Sequence, residues 1–167
     1  MDRKQKEVRS LKFTHLDDKG KAQMVDISHK EQTDRIAKAY GRVKVSTDTY
    51  KSIKEGYGPK GDIFSVAKIA GIMAAKKTHE LIPLCHPLSI THIDVDFRFN
   101  DEMCTVEITS TVKTTGQTGV EMEALVCATH VALTIYDMCK AIDKGIELGP
   151  FYLLEKEGGK SGRYERK

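Results

Sequence analysis

One stretch of the chain, Gly119 to Ile142, carries the longest helical pattern in the sequence. Its middle, from Ala124 to Ile135, is apolar on nearly every side when successive residues are placed about 100° apart. This pattern predicts a helix of about six to seven turns that is buried on most of its surface. Charged residues stand near its two ends, where they must be paired, shielded by a partner or used: Glu121, Glu123, Asp137 and Lys140.

Alternation of apolar and polar residues predicts the strands. The clearest example is a hairpin, in which Ile93 to Phe99 and Cys104 to Thr115 alternate on either side of an Asn100-Asp101 turn. From Thr33 to Val45, TDRIAKAYGR could begin a helix, but small residues alternate with long polar ones, which favours a strand lying under packed helices. The remaining predicted elements are helices from Ser46 to Lys54 and from Asp62 to His79, and a last strand from Ile146 to Leu154 interrupted at Gly149-Pro150.

The predicted order of elements is β–α–α–β–β–α–β, which indicates an α+β fold of the ferredoxin-like, split βαβ type. In this fold an antiparallel sheet has its helices packed on one face. We expect a single domain over residues 1–167, with flexible tails at 1–12 and 157–167. Because a sheet of about four strands leaves its other face open, we also expect the protein to be a homo-oligomer.

Composition restricts the class of protein further. The chain has 167 residues, 40% of them hydrophobic and 31% charged, as expected for one ordinary globular domain. No apolar run approaches the ~20 residues of a membrane span, the N-terminus does not form a signal peptide, and the four cysteines make no CxxC pair. We therefore expect a cytoplasmic protein with reduced thiols and no membrane partner. The net charge of +3, without Trp or a basic aromatic patch, argues against nucleic-acid binding and is compatible with a small anionic ligand.

Two short motifs stand where a ligand could bind. Lys60 of GPKGD lies between two glycines just before a helix N-terminus, where free N–H groups suit an anion; a capped turn with a solvated lysine is the alternative. LIPLCHPLS holds Cys85 and His86 in a stiff loop between two prolines. Metal binding needs three or four converging ligands, which this pair does not supply, so His86 either positions a substrate or has no special role.

The polar residues of the long helix also allow two interpretations. Asp137 and Lys140 lie three positions apart and can meet on one face, either as an ordinary salt bridge or as a buried carboxylate that orients a lysine for proton transfer. Glu121 and Glu123 differ by about 200° around the helix axis and are expected to point to opposite sides. His130 is predicted to be a core histidine satisfied by a local hydrogen bond rather than a catalytic group.

Five motifs occur in order along the chain: KGD, LIPLCHP, TGVEMEAL, TIYDMCKA and GGKSG. With them the sequence resembles the cyclic pyranopterin monophosphate synthases, the molybdenum cofactor biosynthesis protein C family, from about Met24 to Gly162. The resemblance implies a lyase-type enzyme that converts (8S)-3′,8-cyclo-7,8-dihydroguanosine 5′-triphosphate to cyclic pyranopterin monophosphate with release of pyrophosphate. It also implies a homohexamer, a trimer of dimers, with active sites at the dimer interfaces.

The resemblance further implies roles for individual residues. The implied catalytic groups are Lys60, Asp137 and Lys140. The implied substrate-binding residues are Leu84, Cys85, His86, Met122 and Glu123, with Glu121 adjacent and with Lys76 and Arg35 as candidates for binding anions. Lysines would stabilise the leaving pyrophosphate, and the aspartate with a neighbouring lysine would transfer protons. No resident cofactor or metal is expected, and any magnesium would travel with the triphosphate.

Two other classes of function remain to be distinguished. A metal-assisted nucleotide pyrophosphohydrolase would use similar lysines, but the carboxylates are too sparse in the sequence for a two-metal site. A non-catalytic nucleotide-binding or assembly module would not need Lys60 or Asp137. Hydrolysis of plain GTP would indicate the first class, and intact function of Lys60→Ala and Asp137→Asn variants would indicate the second.

Overall fold

An antiparallel sheet of six strands is formed by the residues that the computed structural model describes, which are 15–17, 19–55, 61–160 and 162–167. Three helical segments lie between the first strand and the hairpin, and one long helix follows the hairpin. In chain order the elements are β1 (Thr33–Lys44), α1 (Thr47–Lys54), α2 (Ile63–Ala75), α3 (Thr78–Leu81), β2 (Ile90–Asn100), β3 (Thr105–Gly116), α4 (Glu121–Cys139), β4 (Glu147–Leu148), β5 (Tyr152–Glu157) and β6 (Tyr164–Glu165).

The strand order in the sheet is β2-β3-β1-β5-β6, with β4 paired to β1 as well. All of these pairings are antiparallel. The last long strand, β5, therefore lies beside the first, and β3 separates β1 from β2. This is the split βαβ arrangement, so the predicted α+β fold with its antiparallel sheet and helices on one face is confirmed.

Small residues on one face of β1 allow α4 to lie close to the sheet. Ala37, Ala39 and Val43 are fully buried there. A Cβ added at Gly41 would lie 2.8 Å from the ring of Phe151, so a larger residue would not fit. The prediction that this strand lies under packed helices is confirmed, and burial of this face accounts for much of the core.

Helix α2 packs against α4 through Gly71. A Cβ at this position would overlap the side chain of Val131 and would lie 3.1 Å from the carbonyl oxygen of Cys127, so the glycine sets the close approach of the two helices. The helix ends at Ala75, earlier than the predicted His79, because the chain turns at Lys77 and begins the short helix α3. Thr78 stabilises this turn by donating a hydrogen bond of 2.9 Å to the carbonyl oxygen of Ala75.

By length and composition alone, helix α4 is apolar enough to cross a membrane, although no unbroken apolar run in the sequence predicts a span. More than half of its most apolar window is buried inside the protein. The core helices of globular proteins meet the same criterion. The burial of α4 against β1, β3 and α2 is sufficient to explain its composition.

The C-terminal segment, predicted to be a tail, contains one more strand. β6 pairs with β5, with Lys156 opposite Tyr164, and the guanidinium of Arg166 lies 4.3 Å from the ring centroid of Tyr152. Arg163 forms ion pairs of 3.2 Å with both Glu155 and Glu165. These contacts are made by charged and aromatic side chains and leave no alternating hydrophobic pattern in the sequence. The sequence therefore does not predict the strand.

Candidate functional site

The loop after α3 and the N-terminal end of α4 meet around a cavity of about 240 Å³, which we call the acidic cavity. Residues 82–89 form neither helix nor strand, in agreement with the predicted stiff loop. The first turn of α4 follows directly on a glycine-containing turn that leaves β3. The cavity is lined by His15, Val25, Ile27, Lys30, Leu84, Cys85, His86, Leu88, Thr118, Gly119, Glu121, Met122 and Glu123. The structure thus brings together all six of the predicted substrate-binding residues that lie in the LCH and VEME motifs.

Glu123 is the most buried acidic residue of this cavity, with 4% of its surface exposed. The pKa of its carboxyl group is raised from 4.5 to about 7, mainly by burial and in smaller part by the neighbouring charge of Glu121, while a hydrogen bond from its own backbone acts in the opposite direction. Burial also raises the pKa of the Cys85 thiol, with a smaller contribution from Glu123. At neutral pH the thiol is therefore protonated, while Glu123 lies close to the midpoint of its titration and can either accept or donate a hydrogen bond.

Glu121 lines the same cavity, but its carboxylate has a partner. Oε1 of Glu121 lies 3.2 Å from Nζ of Lys156 in β5, and the carboxylate folds back over Gly119, where an added Cβ would overlap it. The expectation that Glu121 and Glu123 point to opposite sides holds only in part: both line the same cavity, but Glu121 is drawn back over Gly119 towards Lys156. In the first turn of a helix a side chain can fold back over the preceding loop, so the angle around the axis does not decide its direction.

A second, basic cavity of about 640 Å³ lies near the start of β1 and is lined by His29, Lys30, Glu31, Thr33, Arg35, Gly159 and Lys160. Arg35 donates hydrogen bonds to the carbonyl oxygens of Gly116 (2.9 Å) and Gln117 (3.2 Å). Gln117 in turn donates a hydrogen bond of 2.9 Å to the carbonyl oxygen of Lys30, which lines both cavities. These bonds hold the basic cavity against the loop that leads into α4.

The sequence singles out Arg35 in this cavity but does not predict Lys30 as its neighbour. Lys30 belongs to no helical or strand pattern, so only the tertiary structure places it here. Lys160 lies in the GGKSG motif, where Gly158 and Gly159 have φ values of 105° and 70°. Glycine is the residue that most readily adopts this left-handed backbone, so the motif indicates the sharp turn that carries Lys160 to the cavity.

The pair of Asp137 and Lys140 lies at the other end of α4. The two charged groups are 2.6 Å apart, and slightly more than half of each side chain is exposed. The hydrogen bond that Lys140 donates to the Asp137 carboxylate raises the pKa of Lys140. Within this chain the carboxylate is therefore not buried, contrary to the second interpretation of the sequence, although the predicted contact between the two residues is present.

One chain does not bring Asp137 to the acidic cavity. Glu123 and Asp137 are 14 residues apart in a continuous helix, which corresponds to about 21 Å at 1.5 Å per residue. A cluster built around one reacting atom extends over only a few ångströms. The two ends of α4 therefore belong to different sites within a single chain.

Besides Asp137 and Lys140, two more of the predicted site residues remain, Lys60 and Lys76. Lys60 lies outside the described residues, which resume at Gly61 just before the N-cap Asp62 of α2. Lys76 is the C-cap residue of α2 and is exposed; it is absent from the described residues that line the two cavities. Both remain predictions.

His130 has a local partner, as the sequence predicts. Its Nδ1 lies 3.0 Å from the carbonyl oxygen of Val126, one turn earlier in α4.

Across residues 15–17, 19–55, 61–160 and 162–167, no group of three or more His, Cys, Asp or Glu residues is placed to hold a metal ion.

The α+β fold holds an acidic and a basic cavity that share Lys30, an arrangement compatible with a small ligand that carries both hydrogen-bond donors and negative charge. A comparison with protein families identifies the class: the model of the MoaC family matches residues 24–159. The chain belongs to the MoaC family.

Curated relatives support this membership over nearly the whole chain. The cyclic pyranopterin monophosphate synthase of Clostridium botulinum (strain Alaska E43 / Type E3) is 55% identical over 92% of this chain and 96% of its own length. The protein of the same name from Geobacillus kaustophilus is 55% identical over 93% of this chain and 97% of its own length. The protein of the same name from Pelotomaculum thermopropionicum is 57% identical over 93% of this chain and 91% of its own length.

Proposed function

We propose that this chain is a cyclic pyranopterin monophosphate synthase, the name that its relatives carry, and that it acts in molybdenum cofactor biosynthesis. Its substrate is (8S)-3′,8-cyclo-7,8-dihydroguanosine 5′-triphosphate. The ring system rearranges to a pyranopterin, the α-phosphate closes to a cyclic ester, and pyrophosphate leaves. In this proposal the protein works in the cytoplasm.

The single observation that best supports this proposal is the meeting of Cys85 and His86 with Met122 and Glu123 around one cavity. A guanine-derived ring is flat and has N–H groups along one edge. Glu123, as a carboxylate, would accept hydrogen bonds from that edge, and Met122 would pack against a face of the ring. Because Glu123 is almost fully buried, a hydrogen bond to it excludes competing water and contributes to specificity.

The triphosphate requires cations near the ring-binding cavity. Lys30 lines both cavities, and Arg35 and Lys160 line the basic one, so positive charge is available beside the acidic cavity, where the two cavities share Lys30. Lys60 and Lys76 are further candidates by motif. Charge-assisted contacts contribute about 1.5–3 kcal/mol each, and those that strengthen as pyrophosphate leaves accelerate the reaction.

Proton transfer is assigned to Asp137 and Lys140. Their contact of 2.6 Å orients the lysine and keeps it protonated until a proton is needed. Because these groups lie about 21 Å along α4 from Glu123, they must act on a substrate bound mainly by another chain. We therefore propose a homo-oligomer, a hexamer arranged as a trimer of dimers, with each site shared between two subunits.

The direct test is to supply the purified chain with the cyclised dihydro-GTP and to measure both pyrophosphate and cyclic pyranopterin monophosphate. Plain GTP serves as the control substrate. Formation of both products from the first compound and neither from GTP is expected. Hydrolysis of GTP would instead indicate a nucleotide pyrophosphohydrolase. Repeating the assay with EDTA determines whether magnesium must accompany the triphosphate, since the proposal includes no resident metal.

Variants separate the enzyme from a non-catalytic module. Lys60→Ala and Asp137→Asn should each abolish product formation while the oligomer keeps its size in gel filtration. If either variant retained full activity, the assignment of that residue would be wrong. If both retained it, catalysis at these motifs would be excluded.

A further inference from the structure

The ion pair between Glu121 and Lys156 lies at the edge of the acidic cavity, which Glu121 lines and Lys156 does not. Lys156 pairs with Ala37 in the sheet, and its side chain reaches the first turn of α4. The side chains are 27% exposed for Lys156 and 30% exposed for Glu121, so solvent and salt screen this pair less than a surface pair. One partner is fixed in a strand and the other in a helix. The pair therefore links the sheet to the start of α4.

The two glutamates of this turn have different surroundings. Glu121 is balanced by Lys156, and its carboxylate lies over Gly119. Glu123 lines the cavity and is only 4% exposed. Among the described residues, no cation forms an ion pair with it. A buried carboxyl group without a balancing cation is costly to ionise, and hydrogen bonds from a ligand with N–H groups would offset that cost.

We propose that Lys156 is a positioning residue of this site, which holds Glu121 over Gly119 and leaves Glu123 as the carboxyl group that meets the N–H edge of the ligand. This inference rests on the proposed function and adds a residue outside the motifs that imply it. Lys156 itself touches no reacting atom and acts through Glu121. Without the ammonium group of Lys156, the Glu121 carboxylate would be able to leave its place over Gly119 and turn further into the cavity, where it would repel the substrate phosphates and compete with Glu123.

Loss of Lys156 should also change the titration of the site. The titratable and charged groups that face Glu123 come from three parts of the chain: Glu121 from its own helix, Cys85 and His86 from the 82–89 loop, and His15 and Lys30 from the N-terminal segment. Of these, Glu121 already raises the pKa of Glu123. An unbalanced Glu121 would raise this pKa further, so Glu123 would become an acceptor only at higher pH.

The experiment measures kcat and KM for pyrophosphate release from the cyclised dihydro-GTP between pH 5.5 and 9. The variants are Lys156→Met, Lys156→Arg and the double variant Lys156→Met/Glu121→Gln. Lys44→Met is the matched control, because Lys44 also forms an ion pair of 3.2 Å, with Glu147, but at the far end of β1. We expect Lys156→Met to raise KM about tenfold at pH 7, the scale of one charge-assisted contact, and to move the acidic limb of kcat/KM to higher pH.

The other variants show whether the effect passes through Glu121. Lys156→Arg should restore most of the activity, and the double variant should return the acidic limb to its original position, because no unbalanced charge remains. Lys44→Met should behave as the wild type. The inference is overturned if Lys156→Met leaves the acidic limb of kcat/KM in place. It is also overturned if the double variant recovers none of the activity that Lys156→Met loses, as a purely structural role would predict.

Failure of the proposed function gives a different result. If the wild type released no pyrophosphate, the activity would be wrong, and the positioning role would be tested by infrared titration of the Glu123 carboxyl group. A higher pKa in Lys156→Met than in the wild type, reversed in the double variant, supports the inference. An unshifted titration overturns it.

Discussion

Replacing Glu123 by Gln should stabilise the protein at alkaline pH and much less in acid. The carboxyl group is 4% exposed, and its pKa is about 7 compared with an ordinary 4.5. The folded protein therefore binds this proton more tightly than the unfolded chain does. As a consequence, the free energy of unfolding is not reduced by Glu123 below pH 4.5, where the group is protonated in both states. It falls as the pH rises from 4.5 to about 7, because the buried group must then ionise. Glutamine has the same shape and cannot ionise, so it avoids this loss.

The size of the effect follows from the two pKa values. Their difference corresponds to about 3 kcal/mol at 1.36 kcal/mol per pKa unit. Water that enters the cavity screens the charge, so we expect a gain of about 2 kcal/mol in the free energy of unfolding at pH 8. For a chain of this length, that gain raises Tm by about 4–8 °C. At pH 4.5 the expected gain is small.

The assay is thermal unfolding of the wild type and Glu123→Gln by calorimetry, at one protein concentration, at pH 4.5 and pH 8. Glu121→Gln is the matched control. Its carboxylate is balanced by Lys156 at 3.2 Å, so its removal should not stabilise the protein at pH 8. An equal change in Tm at the two pH values, or a lower Tm for Glu123→Gln at pH 8, would refute the conclusion that Glu123 is buried without a balancing cation.

Three further predictions concern catalysis, assembly and packing. Asp137→Asn and Lys140→Ala should each lower pyrophosphate release at least about 100-fold with little change in Tm, because the pair is half-exposed; a large fall in Tm would indicate a structural role instead. Refolding a mixture of Glu123→Ala and Asp137→Asn chains should restore part of the activity, which each parent lacks, and no recovery would contradict shared sites. Gly71→Ala should lower the free energy of unfolding by about 1–3 kcal/mol in urea titrations, because the added Cβ overlaps Val131. Gly116→Ala is the control and should not lower the free energy of unfolding in this way, because a Cβ at Gly116 would lie 3.7 Å from its nearest neighbouring atom.

The elements with long, unbroken patterns are those that the sequence predicts well. The helix now seen at Glu121–Cys139 and the hairpin of β2 and β3 each repeat one periodicity over many residues, and the small-residue face of β1 indicates its position under α4. The short pieces are different. β6 depends on contacts of Arg163 and Arg166 with residues of β5, and such contacts leave no local pattern in the sequence.

The candidate site was predicted in parts. The motifs indicate which residues converge on the acidic cavity, but spacing around a helix axis does not show that Glu121 folds back to meet Lys156. Lys30 was missed because its position depends on a hydrogen bond from Gln117, which is 87 residues away in sequence. Ion pairs and loop contacts between distant residues arise from tertiary structure, so a periodicity argument cannot find them.

If the two ends of helix α4 serve one reaction, as proposed above, a single chain cannot supply both to the same substrate. Its middle is buried against β1, β3 and α2, so the helix cannot bend to bring Glu123 and Asp137 together without breaking the core. The distance of about 21 Å between them is therefore fixed by the same packing that stabilises the fold. Ring recognition at one end and proton transfer at the other can act on one substrate only if two chains are placed side by side. In the proposed enzyme, subunit association thus belongs to the catalytic mechanism, because it completes a site that folding alone leaves divided.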